Sequence, residues 1–303
     1  MENTKTKVDL ICGFLGAGKT TLLIKYCEYL NKNGISAAVV ENEYGAAGID
    51  CETLSACKIT SFELSGGCIC CSLKVGFHDL LAELSGRYGR IVVEPSGIYE
   101  ISQFFDIINS LSDKCEAGAV ITVVDPMDLD VSDEVEKKLL KGQLSVAGGV
   151  VLSKADVYGY EKSLSVMEDI RNFAKRPGLP LIYCGNIRDI PDSALKSLSE
   201  AKPLKRIIKK GDMSHSSVYN STSLKLTRNY SEDEMKSILE RIAAGVCGNV
   251  YRLKGFAEVE GRIRSLDIVH GKFFIGAAEC GGDTFVNAIG KSLKRKNLEA
   301  IFR

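Results

Sequence analysis

Several things are missing from this chain of 303 residues, and each absence narrows the field. There is no net charge, because 39 Lys and Arg balance 39 Asp and Glu. A neutral chain has no bulk pull toward DNA, RNA or anionic lipid, so a small ligand or a protein is the expected partner. No apolar run approaches the ~18 residues of a membrane span, so no membrane partner is expected. The opening M-E-N-T-K-T-K leads into a short apolar segment that contains Asp9, without the apolar core of a signal peptide, and a cytoplasmic location is expected. There is no internal repeat and no low-complexity tract. Histidine is scarce, with only His78, His215 and His270, and no zinc-finger spacing occurs.

What is present is a hydrophobic content of 45%, enough for two cores, and eleven cysteines. Cys12, Cys27, Cys184 and Cys247 lie in apolar surroundings and read as small buried hydrophobes. Cys68, Cys70 and Cys71 differ, falling together in G-G-C-I-C-C at 66–71. In a reducing compartment such a cluster points to metal or catalysis rather than to disulfides.

Short apolar segments at 8–12, 35–40, 59–64, 90–93, 119–124, 149–152 and 179–184 read as strands. Helical patterns at 19–30, 74–85, 132–145 and 160–174 lie between them. This alternation predicts an α/β domain over 1–205, a mostly parallel sheet with helices on both faces. Glycine and polar residues follow the strand ends at 13–20, 41–48, 94–97, 125–128 and 153–156, the edge where open α/β sheets bind ligands. Residues 206–217 read as a linker. Residues 218–303 read as a small α+β domain: a strand at 218–228, a helix opened by a Ser231/Glu234 capping box, then strands at 249–259, 262–269 and 272–278. The last twenty residues are expected to be helical, with K-S-L-K-R-K at 291–296 as a solvated basic face.

G-F-L-G-A-G-K-T at 13–20 fits the phosphate-binding G-x-x-x-x-G-K-T pattern, between a strand and a helix. Gly13, Gly16, Ala17, Gly18, Lys19, Thr20 and Thr21 form the expected cradle. Backbone N–H groups turn toward phosphate oxygens, Lys19 reaches the β- and γ-phosphates, and Thr20 offers its hydroxyl to Mg²⁺. The glycine spacing does not give the dinucleotide G-x-G-x-x-G. In S-K-A-D at 153–156, Asp156 can accept both N–H groups on the guanine edge, a pair adenine lacks, and Lys154 can lay its stem along the base. Glu94 can hold Mg²⁺ through a water, with Gly97 N–H near the γ-phosphate. Glu43 in E-N-E at 41–43 reaches toward the same region. Asp125, ending a strand, orients water or Lys19, or caps the next helix.

Taken in order, G-F-L-G-A-G-K-T, V-V-E-N-E-Y-G at 39–45, G-G-C-I-C-C, V-V-E-P-S-G at 92–97, L-S-K-A-D at 152–156 and V-Y-R-L-K-G-F at 250–256 resemble the CobW-like family of metal-handling P-loop GTPases. The resemblance covers nearly the whole chain. It implies slow GTP hydrolysis with Mg²⁺, and a transition metal at Cys68, Cys70 and Cys71, zinc first and cobalt or nickel as alternatives. It also implies delivery to a client metalloprotein or corrinoid-system protein. By motif, Lys19 and Thr20 take the phosphate and Mg²⁺ roles, Glu94 the acidic Mg²⁺-side position, and Ser153, Lys154 and Asp156 the base side. Two departures stand out: Ser153 where many GTPases use Asn, and Pro95 where Ser or Thr is usual. The His-rich insertion of some members is absent, which argues against metal storage.

The three thiols fall short of the four ligands that tetrahedral zinc wants, at Zn–S distances of about 2.3 Å. Glu43 is the expected oxygen ligand that completes the set, and packing or thiol redox chemistry are the other uses. Two further functions stand beside metal delivery. One is a nucleotide-gated protein-binding module that matures or reactivates a cobalamin-dependent or other metalloprotein, with hydrolysis incidental. The other is an unrelated P-loop kinase or ATPase.

Overall fold

The computed structural model describes residues 5–14, 16–42, 59–63, 72–95, 101–126, 129, 134–204, 220–269, 271–278 and 284–303. They form two compact units, one holding the described residues up to 204 and the other those from 220 onward. The linker expected at 206–217 lies outside the described residues. Among the described residues no helix is long and apolar enough to cross a membrane.

The first unit begins with β1 (Thr6–Gly13), α1 (Lys19–Lys32), β2 (Ala37–Asn42), β3 (Thr60–Glu63), α2 (Ser72–Leu84), β4 (Arg90–Pro95) and α3 (Ile101–Ser110). It continues through β5 (Cys115–Val124), α4 (Glu134–Val146), β6 (Gly149–Leu152), α5 (Ala155–Tyr158) and α6 (Tyr160–Ala174). It ends with β7 (Leu181–Cys184), a 3-10 turn at Ile187–Asp189, and α7 (Asp192–Ser199). The seven strands are parallel, in the order β3-β2-β4-β1-β5-β6-β7. Alternate residues of each strand supply two cores. Ile11, Val39, Val92 and Val123 pack on Leu22, Leu23 and Tyr26 of α1 and Leu195 and Leu198 of α7. Leu10, Val40, Val93 and Val120 pack on Leu81 of α2 and Phe104 and Ile107 of α3. Burial on both faces is why the central strands read as nearly continuous apolar runs, and each fully buried Leu or Ile stabilises by roughly 1.5–3 kcal/mol. Because the strands are parallel, their C-terminal ends share one edge.

One charge interrupts the apolar run of β1. Asp9 is wholly buried and accepts from Arg90 Nη1 at 2.7 and 2.9 Å, Tyr26 Oη at 2.9 Å and the Ala119 N–H at 2.7 Å. The β1–β5 register slips there, from Val8↔Ala117 to Leu10↔Val120, so the Asp9 carboxylate takes up an N–H that the bulge removes from the ladder. A Cβ on Gly118 would stand 2.0 Å from Asp9 Oδ1, which is why this position has none. Burial pushes the Asp9 carboxyl up, against the pull of the Arg90 guanidinium.

The second unit holds β8 (Asn220–Lys225), β9 (Asn229–Tyr230), α8 (Glu232–Ala243), β10 (Asn249–Val259), β11 (Arg262–Val269), β12 (Lys272–Ala277), β13 (Phe285–Lys291) and α9 (Arg295–Ile301). The sheet order is β12-β11-β10-β13-β8, antiparallel, with β9 beside β10. Leu253, Ala257, Leu266, Ile268, Val286 and Ala288 pack on Met235, Ile238, Leu239 and Ile242 of α8 and Leu298 of α9. Ser231 caps α8, its Oγ accepting the Glu234 N–H at 3.2 Å. The helical expectation for the last twenty residues is corrected: Phe285–Lys291 is an inner strand between β10 and β8, and only Arg295–Ile301 is helical. The inward residues Val286 and Ala288 alternate as a strand requires, but Asn287 and Gly290 dilute its β-propensity and the basic run after it mimics a helix face.

Candidate functional site

β1 delivers the chain to the shared strand edge, and the glycine loop turns it into α1. Gly13 lies so close to β5 that a Cβ would stand 2.1 Å from the Val123 carbonyl oxygen. Gly16 and Gly18 take left-handed φ values of 81° and 98°, which orient successive N–H groups inward. Ala17 N–H closes the turn on Phe14 O at 3.2 Å. No side chain caps α1, whose N-cap is Gly18, and its first turn holds no acid. The N–H groups of the first turn, over Lys19, Thr20 and Thr21, therefore present an anion-binding end.

Lys19 is buried, and its Nζ donates to Phe14 O at 3.2 Å and stands 4.0 Å from Glu94 Oε1. Thr20 Oγ1 donates to the same Glu94 oxygen at 3.1 Å. Three residues drawn from the loop and from the end of β4 thus converge. Glu41 of β2 sits beside them in register: it pairs with Glu94 on one side and with Glu63 on the other, and Asn42 pairs with Pro95. An all-oxygen pair, the Thr20 hydroxyl and the Glu94 carboxylate, suits a small hard cation such as Mg²⁺.

The opposite end of the site is built by β5, β6 and β7. Ser153 is buried, and both its N–H and its Oγ donate to Val124 O, at 3.0 and 3.3 Å. Lys154 adopts φ 56° at the N-cap of α5, and its Nζ pairs with Asp125 Oδ2 at 2.6 Å. Asp125 therefore pairs with the lysine of S-K-A-D. Asp156 is exposed in the first turn of α5. Burial pushes the Tyr183 hydroxyl up, and the nearby Asp189 and Asp156 carboxylates add to the shift. Tyr183 Oη donates to Asn186 O at 2.9 Å and holds the turn that follows β7. Ile187 Cδ1 of that turn would meet a Cβ on Gly18 at 3.1 Å, so the turn walls the loop. The sequence reading missed this wall, although G-N at 185–186 follows a strand end as the other sites do.

Glu43, Cys68, Cys70, Cys71 and Gly97 lie outside the described residues. Among the described residues no cluster of three or more His, Cys, Asp or Glu is gathered for a metal. Cys12, Cys27 and Cys247 are buried as expected, whereas Cys184 is only half-buried. Burial pushes the Cys12 thiol up to about 11 and that of Cys27 to about 12.

A parallel sheet whose first strand runs through such a loop into a helix, with Lys and Thr meeting an acid from a neighbouring strand, defines a P-loop nucleotide-binding domain. The model of the CobW/HypB/UreG nucleotide-binding domain matches residues 7–177, and the chain belongs to that family. Zinc chaperone CobW of Pseudomonas aeruginosa is 33% identical over 205 residues, 55% of this chain and 53% of that protein. Zinc chaperone YeiR of Escherichia coli is 31% identical over 157 residues, 50% of this chain and 47% of its own length. Zinc chaperone CobW of a Sinorhizobium species is 24% identical over 304 residues, 85% of this chain and 83% of that protein. The matched region spans about half the length of the first two relatives.

Proposed function

We propose that this chain is a cytoplasmic GTP-dependent metallochaperone or metalloenzyme activator, which couples slow GTP hydrolysis to binding and release of a transition metal, zinc first. The observation that carries the nucleotide half is the convergence of Lys19, Thr20 and Glu94 at the uncapped start of α1. Lys19 binds the β- and γ-phosphates, releasing its hold on Glu94 and Phe14 O as it does so. The N–H groups from Gly13 to Thr21 carry the remaining phosphate charge, with Gly97 N–H near the γ-phosphate. Thr20 and Glu94 would hold Mg²⁺, which supplies charge neutralisation at the transferred phosphoryl group. Water attacks the γ-phosphorus in line with the leaving oxygen, the bond to the β-phosphate oxygen breaks, and the products are GDP and inorganic phosphate. A slow basal rate, raised by metal or by a client, is expected.

On the base side, Asp156 accepts the two guanine donors and the Lys154 stem covers a ring face. Both donors of Ser153 are turned to Val124 O, so base discrimination rests on Asp156. The domain division at 1–205, 206–217 and 218–303 belongs to the same reading.

The metal half rests on topology. The segment holding Cys68, Cys70 and Cys71 joins β3 to α2, and the segment opening with Glu43 follows β2, so both leave the edge where Glu94 ends its strand. Thiolates together with a carboxylate beside the nucleotide make a metal site that changes with nucleotide state, and the client is a metalloprotein or a corrinoid-system protein. GTP turnover measured with and without Zn²⁺ tests this: a slow rate changed several-fold by metal is expected. A fast turnover indifferent to metal and client overturns it, and preference for ATP returns the chain to the kinase or ATPase reading.

A further inference from the structure

The roles above use the Lys154 stem and give Asp125 none. Asp125 is wholly buried at the end of β5, and Lys154 Nζ reaches its Oδ2 at 2.6 Å across the β5–β6 boundary. Lys154 pays for this reach with a left-handed backbone, φ 56°, which disfavours a residue bearing a Cβ. The preceding residue is fastened to the same strand end, since Ser153 donates twice to Val124 O. The two residues that precede the helix of Asp156 are therefore both tied to β5.

We propose that Asp125 is a positioning residue for purine recognition. Its carboxylate draws in the Lys154 ammonium, and the four-carbon stem is left lying as an apolar strip against the face of the base. A half-exposed lysine otherwise samples many rotamers, and ordering it falls to the incoming nucleotide. The pair removes that cost before binding. It also sets the start of α5, and so the height at which Asp156 meets the base edge. Asp125 touches no nucleotide atom in this scheme and acts only through Lys154. The proposal rests on the guanine-nucleotide reading given above.

The test is a double-mutant cycle read by competition of GTP and of ATP against a fluorescent GDP. Asp125→Asn is expected to weaken GTP by about tenfold and ATP by less, because GTP loses both the face contact of Lys154 and the edge contact of Asp156 whereas ATP has only the face contact to lose. In a Lys154→Met background Asp125→Asn is expected to change neither further. Equal losses for GTP and ATP, or an undiminished loss in the Lys154→Met background, overturn the proposal, since a merely structural aspartate would give either. If Asp125→Asn does not fold, Lys154→Met compared with the double variant, which removes both charges, decides the same point: equal GTP affinity supports the coupling and a further loss overturns it. Equal affinity of the unaltered protein for GTP and ATP counts against guanine recognition, and the cycle run on the tighter nucleotide then still decides whether Asp125 acts through Lys154.

Discussion

The two units bury different things. Every buried polar or charged residue described in the molecule lies in the first unit: Thr6, Asp9, Lys19, Glu41, Arg90, Thr122, Asp125, Gln143, Ser153 and Ser163. The second unit closes its core with aliphatic, aromatic and sulfur-bearing side chains among its described residues, and the buried Tyr230 hydroxyl donates to Phe302 O. Burying a polar group costs free energy unless it is partnered, so a fold tolerates it where a ligand or a register demands it. In the first unit Lys19, Glu41, Asp125 and Ser153 lie at or beside the strand ends and Asp9 and Arg90 at the bulge, while Gln143 and Ser163 are buried on helices.

The comparison breaks first at Lys19. Lys19→Ala is expected to lower GTP affinity roughly a hundredfold and to remove hydrolysis, since it deletes two or so charge-assisted hydrogen bonds to phosphate. Equilibrium titration checks this, and hydrogen exchange over β10 and β13 should stay unchanged. Next is Arg90→Met, which leaves the Asp9 charge buried without its cation and is expected to cost about 3–5 kcal/mol in urea unfolding. Leu239→Ala in α8 removes apolar packing only, and about 2–5 kcal/mol is expected, confined to exchange in the second unit. Ser231→Ala loses the cap on α8 and is expected to cost about 1 kcal/mol. The smallest expected effect is none: Cys12 and Cys27, pushed up to about 11 and about 12, should resist alkylation at neutral pH in the native chain.

Much of this was legible beforehand, for reasons that can be located. The strands of the first unit are short apolar runs ended by polar motifs, so periodicity and punctuation agree, and the P-loop announces itself between β1 and α1. The limits have physical causes. The Asp125–Lys154 pair joins residues 29 apart, and it exists only because β5 and β6 are neighbours, which depends on strand order. The Asp9–Arg90 pair spans 81 residues, yet a lone charge inside V-D-L-I-C was a signal that a buried cation would be found. β13 was hidden because small residues sufficed at an inner strand position, where neighbouring strands supply the packing.

The central claim is that nucleotide state and metal occupancy are coupled through motifs that leave one sheet edge. The most direct measurement is an anaerobic Zn²⁺ titration with competing chelators of the GTP-bound, GDP-bound and empty protein. The account predicts affinities that differ between states by about fivefold or more, with Zn²⁺ shifting nucleotide affinity by the same factor. Equal Zn²⁺ affinity in all three states would contradict it.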